Sequence, residues 1–202
     1  MGARMIRKKM LTTAMKHRPL CRLESLLLTA VIVFSIGVAP VHALDGVALE
    51  LGTADSDEDV DRFGFSLKWD WSAQWFAEGD WYLGGYWELG GAYWDGDDGR
   101  TGNDSLGDFH LTPVFRWQRK QGAAIAPFLE LGVGAHVHTD DSIGDKDFDI
   151  PFSFGSHLGG GFRFGSRRQY ELLYRFQHLS NAGLGDDNPG INFHVVHLGY
   201  RF

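Results

Sequence analysis

Cysteine is almost absent from this chain. The single copy in 202 residues is Cys21. It precedes the apolar run of an N-terminal leader, so it does not fit a lipoprotein attachment site. The remainder forms no disulfide and does no thiol chemistry. Long apolar runs are lacking too: the stretch at residues 26–39 is too short to cross a bilayer as a helix. After Ala43 no helical periodicity of useful length occurs, which argues against a helical fold. Positive charge is scarce outside the leader. Subtracting the leader's +6 from the chain's −7 leaves −13 on the rest. A nucleic-acid binder would carry the opposite sign.

The leader itself is informative. Arg4, Arg7, Lys8, Lys9, Lys16, Arg18 and Arg22 form a basic region ahead of the apolar run, and Val41-His42-Ala43 gives a small-x-small cleavage site. Residues 1–43 therefore read as a secretory signal peptide. The basic region is long, which makes Met15 a second candidate start. Removing 43 of 202 residues leaves 159, a size that suits one domain over residues 44–202. Export without cysteine is compatible with the periplasm or the outer membrane.

What the chain does have is alternation of apolar and polar residues, in eight segments. The first sets Val47, Leu49 and Leu51 against Ala48, Glu50 and Gly52, and the second sets Phe63, Phe65, Leu67 and Trp69 against Ser66, Lys68 and Asp70. The fifth sets Leu129, Leu131, Val133 and Val137 against Glu130, Gly132, Gly134 and His136. The other five follow the same pattern, the seventh covering Tyr170 to Gln177 and the eighth ending at Phe202. Period two is the strand signal. One face is bulky and apolar; the other is rich in glycine and charge. An eight-stranded barrel has an interior only just wide enough for side chains. The bulky face cannot fit there, whereas glycines and paired charges can. Glu50, Asp70, Glu88, Glu130 and Glu171 are matched by Lys68, Arg116, Arg163, Arg175 and Arg201, as a buried polar interior requires.

The expected fold is therefore all-β: an eight-stranded antiparallel transmembrane β-barrel with both termini on the periplasmic side. A soluble lipocalin-like barrel would need the aromatics inside and would be overfilled. Connections at residues 72–80, 119–124 and 165–168 read as short periplasmic turns, and those after segments one, three, five and seven as longer, acidic outer loops. Trp71, Trp75, Phe76, Trp81, Trp117 and Tyr170 are expected in an inner aromatic girdle. Phe63, Tyr93, Trp94, Phe109 and Phe152 are expected in an outer one.

Two polar residues break the apolar face at the outer end of segment seven. His178 and Ser180 are two apart, so they share a face, roughly 7 Å apart along the strand. An imidazole and a hydroxyl can close that gap, the minimum for a base-activated nucleophile. Their parity is that of Leu172, Tyr174 and Phe176, which points them outward, toward lipid. Asn192 and His194 have outward parity on segment eight, and a hairpin brings Asn192 within reach of His178. Taken alone, His-x-Ser is common, and Ser180 and Asn181 are also ordinary turn formers.

The surrounding residues are more specific. His178-x-Ser180-Asn181-Ala182-Gly183, then Asn188-Pro189-Gly190, then a strand ending Gly199-Tyr200-Arg201-Phe202, resembles the lipid A 3-O-deacylases of the PagL type. The resemblance is strong over residues 170–202 and extends loosely over the barrel pattern. It implies an outer-membrane esterase that removes the 3-hydroxyacyl chain from position 3 of lipid A. It implies Ser180 as nucleophile, His178 as general base, and the Asn181-Ala182-Gly183 turn as oxyanion hole. It implies no cofactor and no metal, and lipopolysaccharide and outer-membrane lipids as partners. A homodimer is compatible with the sequence, which sets no oligomeric state. The resemblance also implies a glutamate fourteen residues after the histidine, where this chain has Asn192. An amide can hold an imidazole's tautomer but adds no charge. Asp186 or Asp187 is the alternative third group. The rival reading from another class is a non-catalytic structural or adhesion barrel.

The remaining polar features read plainly. Asp55, Asp57, Glu58, Asp59 and Asp61, then Asp95, Asp97 and Asp98, then Asp140, Asp141, Asp145, Asp147 and Asp149 make acidic outer loops. They suit a solvated surface, or cation bridges to lipid phosphates; the first loop lacks the glycine and distal glutamate of an EF-hand. His136, His157 and His197 face the lumen without ligand spacing and read as hydrogen-bonded fillers. His194 reads as an interfacial residue.

Overall fold

The structure, a computed structural model, describes residues 43–55, 59–96, 102–120 and 125–202. The expected signal peptide lies outside the described residues, apart from Ala43, as do Asp57, Glu58, Asp97 and Asp98 of the acidic loops.

The alternating segments become strands β1 (Gly46–Ala54), β2 (Val60–Asp70), β3 (Trp81–Gly96), β4 (Ser105–Arg119) and β5 (Ala126–His138). A two-strand hairpin follows, β6 (Ser142–Ile143) with β7 (Lys146–Asp147). Then come β8 (Phe152–Phe164), β9 (Tyr170–Ser180) and β10 (Ile191–Arg201). The eight long strands close into one barrel in the order β1-β10-β9-β8-β5-β4-β3-β2, every neighbouring pair antiparallel. Closure leaves no strand edge unpaired, the condition for crossing lipid. Phe202 N–H donates to Asp45 O at 3.0 Å, so the two ends of the barrel chain meet at one rim.

The faces divide as the alternation requires. Leu49, Phe65, Leu129, Leu158 and Leu198 are exposed on the wall, while Glu50, Glu88, Arg116, Glu130, Glu171 and Arg175 are buried inside. The interior charges form a connected network. Arg116 Nε is 2.8 Å from Glu130, Lys68 Nζ 2.8 Å from Glu171, and Arg175 Nη1 2.6 Å from Glu88. Tyr86 Oη donates to Glu130 at 3.0 Å. Each buried charge has an opposite partner, which offsets the desolvation that an isolated ion would suffer.

Two members of the network were missed from sequence. Arg62 and Asp108 are both buried inside, Arg62 Nη1 at 3.0 Å from Glu50. Both precede the apolar residue at which alternation becomes visible, Phe63 or Phe109. Pairing with neighbouring strands carries β2 and β4 past those points, to Val60 and Ser105.

Two expectations are corrected. Trp94 is not in an outer girdle: it turns inward and is 0% exposed. Tyr93 and Trp94 are consecutive, so a strand sends them to opposite faces, and Tyr93 is the one on the wall. Trp94 joins Val60, Leu106, Phe148, Leu179, Ile191 and Phe193 in an apolar plug. Its ring centroid lies 4.6 Å from that of Phe193. The polar lumen is thus capped at the rim opposite the termini. The first outer connection is also short, residues 55–59, because β1 and β2 stay paired up to Thr53 and Asp61. The connection at residues 71–80, on the side of the termini, is longer, and Trp71 and Trp75 pack there against Phe115.

Candidate active site

β9 and β10 carry the site because their pairing is continuous to the outer rim. Asn192 lies opposite His178 in the β9–β10 register, and Ser156 of β8 lies opposite His178 on its other side. The three form a transverse row on the outward face. His178 is exposed, whereas Ser156, Ser180 and Asn192 are half-buried.

The structure brings His178 and Asn192 together: His178 Nδ1 lies 2.7 Å from Asn192 Oδ1. An amide oxygen only accepts, so Nδ1 carries the hydrogen and donates it. The other ring nitrogen, Nε2, then presents a lone pair, the protonation state a general base needs. Ser180 is the last residue of β9, on the same face as His178. Among the described residues no hydrogen bond joins its hydroxyl to the imidazole. Resting sites are often open in this way and tighten with substrate.

Gly190 fixes where the ring lies. A Cβ at Gly190 would stand 3.1 Å from His178 Cε1 and 3.7 Å from Nε2. The imidazole therefore leans over the glycine toward the outer rim. Gly190 also has φ 63, a left-handed backbone that glycine adopts without penalty.

The β9–β10 loop is braced around Asn181, whose side chain is fully buried. Its Nδ2 donates to Phe148 O at 2.8 Å and Asp187 O at 2.6 Å, and its Oδ1 accepts from Gly183 N–H at 2.8 Å. Its backbone N–H donates to Asn188 Oδ1 at 3.0 Å. Of the three expected oxyanion-hole residues, Asn181 and Gly183 thus have their amides engaged within the loop. Ala182 holds φ 55 and is exposed. Of the loop acids, Asp187 Oδ1 accepts from Asn188 N–H at 2.9 Å, and the backbone N–H of Asp186 donates to Asp149 Oδ2 at 2.6 Å. Asn192, not Asp186 or Asp187, is the hydrogen-bond partner of His178.

Of Asn188, Gly190 and Ser156, sequence reasoning gave none a role at the site beyond turn geometry. The first two lay in the Asn-Pro-Gly motif, where asparagine before Pro-Gly reads only as a turn. Ser156 lacked any signal short of strand register. His194 is tied down: its Nδ1 lies 2.6 Å from Tyr174 Oη and its Nε2 3.6 Å from Asp55 Oδ1. Among the described residues, two groups inside the barrel have donor atoms mutually within 4.8 Å, as a metal ion would require. They are Asp108 with His110 and His136, and Glu50 with Glu88 and His197. Both face the lumen, on the opposite side of the wall from His178.

Comparison with known proteins is consistent across sequence and structure. The family model described as "Lipid A 3-O-deacylase (PagL)" matches residues 61–201, which include the whole outward row. The lipid A deacylase PagL of Pseudomonas aeruginosa is 33% identical over 157 residues, covering 78% of this chain and 86% of that protein. The lipid A deacylase PagL of Bordetella bronchiseptica is 32% identical over 111 residues, covering 55% of this chain and 57% of that protein. The crystal structure of the outer membrane enzyme PagL superposes with a TM-score of 0.69 at 26% identity, covering 78% of this chain and 99% of that one. The chain belongs to the lipid A 3-O-deacylase (PagL) family of outer-membrane barrels.

Proposed function

We propose that this protein hydrolyses the ester-linked 3-hydroxyacyl chain at position 3 of lipid A, in the outer leaflet, with Ser180 as nucleophile. The observation that carries the reading is the oriented imidazole of His178, hydrogen-bonded to Asn192 on the lipid-facing wall two residues from Ser180. A soluble substrate would not be met there; a lipid reaches it laterally.

The steps follow from the groups present. Ser180 Oγ attacks the ester carbonyl as its proton passes to His178 Nε2. The tetrahedral oxyanion is held by the Asn181-Ala182-Gly183 turn. The exposed Ala182 N–H is its uncommitted donor; the Gly183 N–H must leave Asn181 Oδ1 to join it. The C–O bond to the sugar breaks, and the imidazolium protonates the departing sugar oxygen. Water, deprotonated by His178, then attacks the acyl-serine; the bond from the acyl carbon to Ser180 Oγ breaks, the imidazolium returns its proton to Oγ, and the 3-hydroxy fatty acid leaves. Asn192 keeps Nδ1–H pointed at itself throughout, fixing the tautomer, but contributes no negative charge to the imidazolium. All of these groups come from one chain.

The second reading, a non-catalytic structural or adhesion barrel, is favoured by one feature, the amide of Asn192 where the resemblance implies a carboxylate. One experiment separates the two. The purified, folded barrel is incubated with lipopolysaccharide and the lipid A is weighed. Loss of one 3-hydroxyacyl mass, abolished by Ser180→Ala, supports hydrolysis. An unchanged mass with folded wild-type protein overturns it.

A further inference from the structure

We propose that Asp108, His110, His136 and His138 form an internal binding site for one divalent transition-metal ion of the zinc class. The site is independent of the deacylation chemistry and lies inside the barrel beneath its apolar cap.

Strand geometry builds it. Asp108-Phe109-His110 lies on β4 and His136-Val137-His138 on β5. The register pairs Asp108 with His138 and His110 with His136. Alternation sends all four inward, and their exposures are 0%, 5%, 1% and 4%. Two adjacent strands thus present a two-by-two patch of ligand-forming side chains. Directly opposed pairs stand roughly 5 Å apart at Cβ, close enough for one ion.

The side chains converge. Donor atoms of Asp108, His110 and His136 lie within 4.8 Å of one another. His136 Nδ1 is 2.9 Å and His138 Nδ1 3.5 Å from Asp108 Oδ1, and His110 Nδ1 is 3.8 Å from Asp108 Oδ2. A second observation points to a ligand: the Nδ1 atoms of His110 and His138 are buried without a hydrogen-bond partner. A buried polar atom left unpaired is costly, and coordination would satisfy both. Three imidazoles with one carboxylate suit zinc, with copper or nickel as competitors. A supporting outer group is present as well. Ser153 Oγ is 3.1 Å from His138 Nε2, placed to accept from that N–H and leave Nδ1 to the metal. Such contacts orient metal-binding imidazoles.

Arg62 is the physical objection, because its Nη2 lies 3.6 Å from Asp108 Oδ2. It is closer to Glu50, at 3.0 Å, and donates to Gln177 Oε1 at 3.3 Å. Glu88, 3.8 Å from His110 Nε2, adds a further carboxylate beside the patch. Above it, Trp94 and Phe148 pack their rings on His138. The cap means that the ion enters before the barrel closes.

The test starts from wild-type protein refolded into detergent with Zn²⁺ or Co²⁺ and then desalted. Zinc content should be about one ion per chain, retained because the site forms with the fold. X-ray absorption should show imidazole nitrogen around the metal. His136→Gln and His110→Gln, each checked for the folded form by its electrophoretic mobility before heating, should lose metal by on the order of tenfold or more. Metal-free wild type after refolding in zinc, or folded variants holding full zinc, would overturn the proposal. If the variants do not fold, the wild type decides: imidazole scattering supports the site and an oxygen-only shell overturns it.

Discussion

His178 donates its Nδ1–H to Asn192 Oδ1 across the β9–β10 pair, at 2.7 Å, on the lipid-facing side of the barrel. One hydrogen bond sets both the tautomer and the tilt of the imidazole. It does so with an amide, so the imidazolium formed during reaction has no carboxylate beside it. Asn192→Ala should therefore lower the deacylation rate on the order of 10²-fold or more, by releasing the tautomer. Asn192→Glu should raise it about tenfold, because a charged acceptor stabilises the imidazolium more strongly. Initial rates of fatty-acid release from lipopolysaccharide, measured side by side, check both directions.

Gly190 should tolerate no side chain. A methyl there would press on His178 Cε1 at 3.1 Å, and φ 63 is a conformation that costs an L-residue about 1 kcal/mol. Gly190→Ala is expected to fold, with a slightly lower urea midpoint. Its kcat should fall about 10²-fold, since a small displacement of the base is enough to disrupt proton transfer. A kcat close to wild type would mean that the ring does not need its present position.

Asn181 is expected to act on the loop and not on substrate through its side chain. Asn181→Ala leaves Phe148 O, Asp187 O and Gly183 N–H without their present partner. The loss should be about 1–3 kcal/mol of local stability. It should show as faster hydrogen exchange at residues 182–190 and a lower kcat, while the strands keep their protection.

The interior network should be intolerant of one-sided changes. Arg116 contacts both Glu130 and Glu171, so Arg116→Met leaves two carboxylates short of a cation inside the barrel. A loss of about 3–5 kcal/mol is expected on urea unfolding from lipid vesicles. Added salt should not restore it, because ions do not screen a buried pair well.

Much of the fold was legible because strand side chains alternate with period two. Val47, Leu49 and Leu51 against Glu50 already say which face is outside, and the same parity put His178, Ser180 and Asn192 on the wall. The His178–Asn192 pairing was legible for a related reason: the two strands are joined by one loop, and a hairpin limits the registers open to it. Alternation cannot say how far a strand continues once its apolar signal stops. Neighbouring strands decided that, and in doing so drew Arg62 and Asp108 into the interior.

From the sequence alone came the exported-barrel class, the inside and outside of its wall, and the outward placement of a histidine, a serine and an asparagine. These follow from local periodicity. Tertiary structure alone decided that Trp94 and Phe193 meet under the outer rim, that Asn181 turns inward to brace its loop, and that Asp108 and His110 face His136 and His138. Trp94 and Phe193 meet through the closure of strands far apart in the chain, Asn181 reaches a separate loop, and the β4–β5 facing depends on a strand register that alternation alone does not set.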